Sequence, residues 1–216
     1  PGGPTDTMAR AIGQKLTDSM IRANNVLLAL YLAPGQAQGK PDQPLPGFVL
    51  RNQLGNVKPG LASGKLPDPS SDVLLPTPLL GSKALALGHL NFSRDVDGAV
   101  RTEPLVMGYY DQYFPSLSLM LAARRLNLEG KDIQVQLGEG VQLGNQQITT
   151  DPTLRMFTHF YKDANGRPAF TVDSFYDVLS GKIAAAKYRD KIVLIGASAA
   201  GVGTLQVTPI ASSMPS

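Results

Sequence analysis

Cysteine is absent from this 216-residue chain, which excludes disulfides, thiolate nucleophiles and cysteine-ligated zinc. An excess of one charge is nearly absent too, since 20 Lys plus Arg stand against 17 Asp plus Glu for a net +3. No basic run exceeds the pair Arg124 and Arg125, so the chain carries no nucleic-acid footprint despite a pI near 9.2. No apolar run approaches the roughly 18 residues that cross a bilayer. The longest, Val26 to Ala33, has the length of a buried strand. The two histidines, His89 and His159, lack H-x-x-x-H spacing and cysteine support. Each therefore reads as a strand residue with a satisfied ring rather than as a metal ligand or base. No signal peptide is legible and the sequence opens at Pro1 without Met, which reads as a piece of something longer.

What is present suits a globular fold. Hydrophobic residues make up 43% and charged residues 17%, so there is enough apolar side chain for a core and too little net charge for disorder. The length predicts a single domain over residues 1–216. Met8, Ile12, Leu16 and Met20 recur every four residues, predicting an amphipathic helix whose first turn Asp6 caps. The helix runs into Val26 to Leu32, predicted to be a strand covered on both faces.

From Pro34 to Pro78 the composition shifts to Pro, Gly, Gln, Ser and Asp, with Phe48 to Leu50 and Val73 to Leu75 as short extended pieces. This stretch, residues 34–78, reads as a long surface loop or insertion. Ala84 to Phe92 and Ala99 to Val106 flank an Asp97-Gly98 turn and are expected to pair. Pro115 is expected to open a helix bearing Leu117, Met120, Leu121 and Leu128 and ended by Gly130.

Ile133, Val135 and Leu137, then Val141 and Leu143, alternate as strands do. Met156 to Tyr161 reads as a strand, and Ser174 to Leu179 as a short helix with a capping box from Ser174 and Asp177. Lys191 to Ile195 reads as a buried strand. The fold class expected is α/β, a mixed central β-sheet flanked by helices with a long Pro/Gly-rich surface loop.

Ser93 to Gly98 places oxygen side chains at alternate positions before a glycine, as an EF-hand loop does. Its twelfth position is Pro104, where a bidentate Glu is needed. A structural turn is the preferred reading, with Asp95 or Asp97 capping backbone N–H groups and pairing with Arg101. Asp95, Asp97, Arg101 and Ser198 are the candidate ligand-binding residues.

Gly196 to Gly201 is glycine-rich but matches neither a dinucleotide fingerprint nor a P-loop, and Ala200 stands where a nucleophile elbow needs Gly. Its alternative reading is a small α/β hydrolase or nucleotide-binding enzyme using Ser198. The aromatic clusters Tyr109, Tyr110, Tyr113, Phe114 and Phe157, Phe160, Tyr161 read as core before pocket. No catalytic residue, metal ligand or cofactor is assigned.

Several of these segments, in order, resemble one family. Asp95, Asp97, Gly98 and Arg101 form a D-x-D-G-x-x-R turn, followed by Phe114-Pro115-Ser116-Leu117, Asp177 to Gly181, Lys191 to Gly196, Thr208-Pro209 and Met214-Pro215. The order resembles CHASE2 domains, best over residues 84–215 and more loosely over the first 33. Residues 203–207 lack the Asp that the family usually places before Thr-Pro.

The resemblance implies a periplasmic or extracytoplasmic sensor within a bacterial inner-membrane receptor, reaching the membrane through segments outside this chain. It implies no catalysis by these residues, while the parent carries a cytoplasmic cyclase, a cyclic-di-nucleotide enzyme or a kinase. The expected partners are an unknown small molecule or envelope stimulus and no nucleic acid, with a homodimer as an open alternative.

Overall fold

A computed structural model of the chain describes residues 4–41, 43–60, 65–162, 169–197 and 205–215. The residues group into two compact units, Pro1–Ser93 with Thr102–Phe157 and Arg94–Arg101 with Thr158–Ser216. The α/β class is the one expected, built from several sheets and five α-helices among the described residues.

In the first unit, helix α1 (Pro4–Ala23) leads to strand β1 (Leu27–Pro34). The apolar stripe of α1 does not pack as its spacing predicts. Met8, Ile12 and Leu16 are 66%, 61% and 49% exposed, and only Met20 is buried. The cause is helical geometry: a step of four residues overshoots a full turn by about 40°, so three steps drift about 120° round the axis. The packed side carries Gly13, Thr17 and Met20 instead, at i, i+4 and i+7. Thr17 donates its hydroxyl to the Gly13 carbonyl at 2.8 Å. Asp6 falls inside α1 rather than before it.

Residues 34–78 are more structured than a surface loop. They hold a helical turn α2 (Gly47–Leu50), strand β2 (Asn56–Lys58) and strand β3 (Pro69–Leu74). Phe48 to Leu50 is therefore helical, not extended, and Asn52 holds its turn by donating to the Phe48 carbonyl at 2.9 Å. After helix α3 (Pro78–Gly81) come β4 (Ala86–His89), β5 (Ser93–Arg94), β6 (Val100–Pro104), β7 (Val106–Tyr109) and β8 (Gln112–Pro115).

The main sheet has the order β4-β1-β3-β7-β8, so β3 is its middle strand. It is mixed: β1 runs parallel to β4 and antiparallel to β3, while β7 is parallel to β3 and antiparallel to β8. Leu30 and Leu32 of β1 are buried, but Tyr31 between them is 41% exposed. One face of β1 is thus closed and the other only partly covered, contrary to the expectation for a run apolar at every position.

The Asp-Gly turn joins β5 to β6, but β4 pairs with β1, so the long hairpin expected across residues 84–106 shrinks to the turn itself. Helix α4 (Leu117–Arg125) starts after β8 with Ser116 as its cap, whose hydroxyl accepts from the Leu119 N–H at 3.2 Å. It ends at Leu126, and Gly130 opens a separate 3-10 turn.

A second sheet follows the alternation read from the sequence. Strands β9 (Ile133–Gln136), β10 (Gly140–Leu143) and β11 (Gln146–Thr149) pair antiparallel, and β2 joins parallel to β9. Ile133, Val135, Val141 and Leu143 are buried against Leu119, Met120 and Ala123 of α4. Strand β12 (Arg155–Phe157) pairs antiparallel with β6 and is shorter than predicted.

The second unit contains the turn from Arg94 to Arg101, helix α5 (Phe175–Leu179), a 3-10 turn (Ala185–Tyr188) and the hairpin of β13 (Leu205–Thr208) and β14 (Ala211–Pro215). Ser174 precedes α5 without a side-chain cap bond, so the capping box does not form. Lys191 to Ile195 is not a buried strand: it has no ladder, and Ile192, Val193, Leu194 and Ile195 are 53%, 47%, 78% and 79% exposed. An apolar run specifies what a strand wants on its faces but not the neighbours that complete its backbone bonds.

Candidate functional site

The D-x-D-G-x-x-R turn closes on itself. Asp95 N–H donates to the Ala99 carbonyl and Gly98 N–H to the Asp95 carbonyl, both at 2.8 Å, with Gly98 at φ 81° where a side chain would be strained. Asp95 accepts from the Val96 N–H at 2.8 Å and Asp97 from the Ala99 N–H at 3.1 Å. Arg101 then takes both carboxylates, giving two bonds to Asp97 at 2.7 and 2.6 Å and one to Asp95 at 3.0 Å.

The bond from Arg101, followed by that from Ala99, holds the Asp97 carboxyl well below the usual carboxylate range; Asp97 in turn raises Arg101. Arg94 donates to the Gln206 side chain at 3.2 and 3.0 Å, tying the turn to β13, and Ala99 bridges to Val207. Three of the four predicted site residues therefore come together as a brace of the second unit. Ser198 lies outside the described residues.

The electrostatics sets a pH dependence. Asp97 has a depressed pKa in the fold, so its contribution is complete above the unfolded value near 4 and fades as pH falls below it. Asp97→Ala should lower the melting temperature at pH 7 and make no further difference at low pH; equal melting at pH 7 would remove the brace. Its side chain is 54% exposed, so the effect is smaller than for a buried cap. Calcium at millimolar concentration should leave the melting temperature unchanged, because Arg101 already occupies both carboxylates; a rise would reveal a metal loop.

The segment Gly88-His89-Leu90-Asn91-Phe92 has packing roles. A Cβ on Gly88 would lie 2.5 Å from Leu117 Cα and 2.6 Å from Leu117 N, so the start of α4 rests on β4. Asn91, 5% exposed, accepts from the Leu32 N–H at 3.0 Å and donates to the Leu32 carbonyl at 2.6 Å. His89 is buried, and its Nδ1 accepts from the Asn91 N–H at 3.4 Å, so the neutral ring keeps its proton on Nε2. That nitrogen has no partner among the described residues, which departs from the satisfied ring expected.

Burial lowers the His89 pKa to about 3. The unfolded chain binds the proton below about pH 6.5 and the folded chain only near 3, so stability falls as pH drops through that window. His89→Gln should flatten the urea midpoint between about pH 7 and 5, where His89 alone contributes up to about 1.4 kcal/mol per pH unit. An unchanged slope would contradict the burial of a neutral ring. His159 is exposed, in no strand, and edge-on to Tyr161 at 4.7 Å.

In the first unit a cavity of about 280 Å³ is lined by Pro34, Gly35, Gln36, Asp68, Pro69, Asn91, Phe92, Ser93, Pro104, Met107 and Arg155, from the main sheet on one side and from β5, β6 and β12, which pair in the order β12-β6-β5, on the other. Its charged members are one ion pair. Arg155 donates Nε to Asp68 at 3.1 Å and Nη2 at 2.8 and 2.6 Å, with both side chains about 70% covered. Asp151 anchors the base of β12 by accepting from the Thr153 and Arg155 N–H groups at 2.8 and 2.9 Å.

Sequence reasoning missed Asp68 and Arg155. They stand 87 residues apart, and neither lies in a motif that signals the other. A second cavity, of about 250 Å³, is lined by Pro41, Pro44, Leu45, Tyr109 and Tyr110 among others. Tyr109 and Phe114 are core, as expected, whereas Phe157 and Tyr161 are 78% and 57% exposed and are not.

The strand that the hydrolase alternative places ahead of its glycine-rich turn does not form at Ile192 to Ala197, and residues 198–201 of that turn lie outside the described residues. The CHASE2 domain family model matches residues 5–216, nearly the whole chain. No curated protein and no solved structure matches it. CHASE2 domains are extracytoplasmic and sensory, not catalytic, and the match extends across the turn, the α4 start and the closing hairpin described above. By that match the chain belongs to the CHASE2 family of sensory domains.

Proposed function

We propose that this chain is the stimulus-sensing domain of a bacterial transmembrane receptor, held outside the cytoplasmic membrane and performing no covalent chemistry itself. The match over residues 5–216 carries the reading. Among the described residues no helix is long and apolar enough to cross a membrane, so anchoring falls to segments outside these. The output is a cytoplasmic cyclase, cyclic-di-nucleotide enzyme or kinase on the same polypeptide, biased by a domain with two states of different ligand affinity.

Homodimerisation belongs to the same proposal. The exposed Met8, Ile12 and Leu16 of α1 form an apolar stripe that a second copy would cover.

The test is to delete residues 5–216 from the intact receptor while keeping its membrane segments. Output activity should persist at a fixed level and lose its response to the stimulus. An unchanged, still regulated output would reject the sensory role.

A further inference from the structure

The Asp68–Arg155 cavity has features of a ligand site that the brace at Asp97 lacks. Five of its lining residues, Pro34, Pro69, Phe92, Pro104 and Met107, present apolar surface. Arg155 commits Nε and Nη2 to Asp68, while its Nη1 has no acceptor among the described residues. Asp68 Oδ1 accepts a single hydrogen bond, at 2.8 Å, leaving capacity on that oxygen. Ser93 and Gln36 at the lining also keep their side-chain polar groups uncommitted among the described residues.

Charge selects the ligand. The pair is neutral as a unit and its walls are largely apolar, so a ligand of net charge would leave one charge uncompensated beside partly covered apolar surface. A lone carboxylate would reach Arg155 only by approaching Asp68 as well. A zwitterion avoids both costs: its carboxylate takes the free edge of the guanidinium fork and its ammonium takes Asp68 Oδ1. The volume of about 280 Å³ lies just below the range of roughly 300–1,000 Å³ for drug-sized ligands, which suits a smaller molecule of amino-acid size.

We propose that this cavity binds a free α-amino acid with an apolar side chain, the side chain resting on Phe92, Met107 and the prolines. The ligand class is the stimulus of the sensory role above, and its biological meaning rests on that reading.

Thermal melting and calorimetric titration of the chain with L-leucine and L-methionine test it. 4-Methylpentanoate and 3-methylbutylamine serve as leucine lacking its ammonium and its carboxylate. Leucine or methionine should raise the melting temperature saturably, and each half-molecule should bind at least about tenfold more weakly, the loss of one hydrogen bond between charged groups.

Arg155→Gln should abolish the shift. Because that change breaks a partly buried pair and can cost folding, Gln36→Trp is the second variant: Gln36 is exposed at the lining, so an indole there blocks the cavity with the unliganded melting temperature preserved. No saturable shift with either amino acid, an undiminished shift in Gln36→Trp, or 4-methylpentanoate binding as tightly as leucine would each overturn the proposal. These failures are separate from that of the sensory role, which the deletion of residues 5–216 decides without reference to any ligand.

Discussion

Gly88→Ala should destabilise the chain by about 3 kcal/mol and lower its melting temperature by roughly 6–12 °C. The obstacle is backbone: the added carbon would lie 2.5 Å from Leu117 Cα, 2.6 Å from Leu117 N and 2.8 Å from the Ser116 carbonyl carbon. A side chain could rotate away, but these atoms belong to the cap and first residue of α4. Relief would require α4 to lift from β4, opening the contact between the helix and the main sheet. Leu119 and Met120, both 2% exposed, would lose packing with it.

Gly130→Ala supplies the control. Nothing lies within 4 Å of its added carbon, so its melting should match the wild type to within about 2 °C, a surface substitution. Equal melting of Gly88→Ala and Gly130→Ala would show that α4 does not rest so closely on β4.

Asn91→Ala should cost about 2–4 kcal/mol through a different mechanism. Leu32 is fully buried in β1, and the Asn91 amide satisfies both its N–H and its carbonyl, much as a paired strand would. Truncation leaves two buried backbone groups without partners, each costing roughly 1–3 kcal/mol, partly offset where water enters. Asn91→Asp separates the two bonds: it keeps the acceptor for the Leu32 N–H but sets a carboxylate against the Leu32 carbonyl. Its deficit should shrink as pH falls and the carboxyl gains a proton to donate. Urea unfolding of Asn91→Ala at the wild-type midpoint would mean that the Asn91 bonds stabilise nothing.

Much of this was legible where a signal is local. The alternation of Ile133, Val135, Val141 and Leu143 gave the second sheet, because period-two burial needs only the strand itself. The pairing of Arg101 with Asp95 and Asp97 was legible because all three share one turn. Strand β3 was hidden: Pro69-Ser70-Ser71-Asp72 reads as loop, yet Ser70 is fully buried and donates to the Gly108 carbonyl at 2.8 Å. A polar strand in mid-sheet is stabilised by partners that its own residues do not announce.

The stripe of α1 and the apolar run at Lys191 failed for the converse reason, a strong pattern without the matching surface. The Asp68–Arg155 pair had no local signal, since the main sheet and β12 bring those residues together only after folding. The family order fared better than its motifs taken singly: several short patterns in one sequence are hard to obtain by chance.

The central claim is that the chain acts outside the cytoplasmic membrane as part of a receptor, and topology tests it most directly. Alkaline phosphatase and a green fluorescent protein, fused in turn after Pro215 in the receptor's own polypeptide, report the side of the membrane on which that point lies. The account predicts active phosphatase and a dark fluorescent fusion, with the protein recovered in the membrane fraction. Inactive phosphatase with a bright fluorescent fusion, or recovery of the native polypeptide entirely in the soluble cytoplasm, would contradict it.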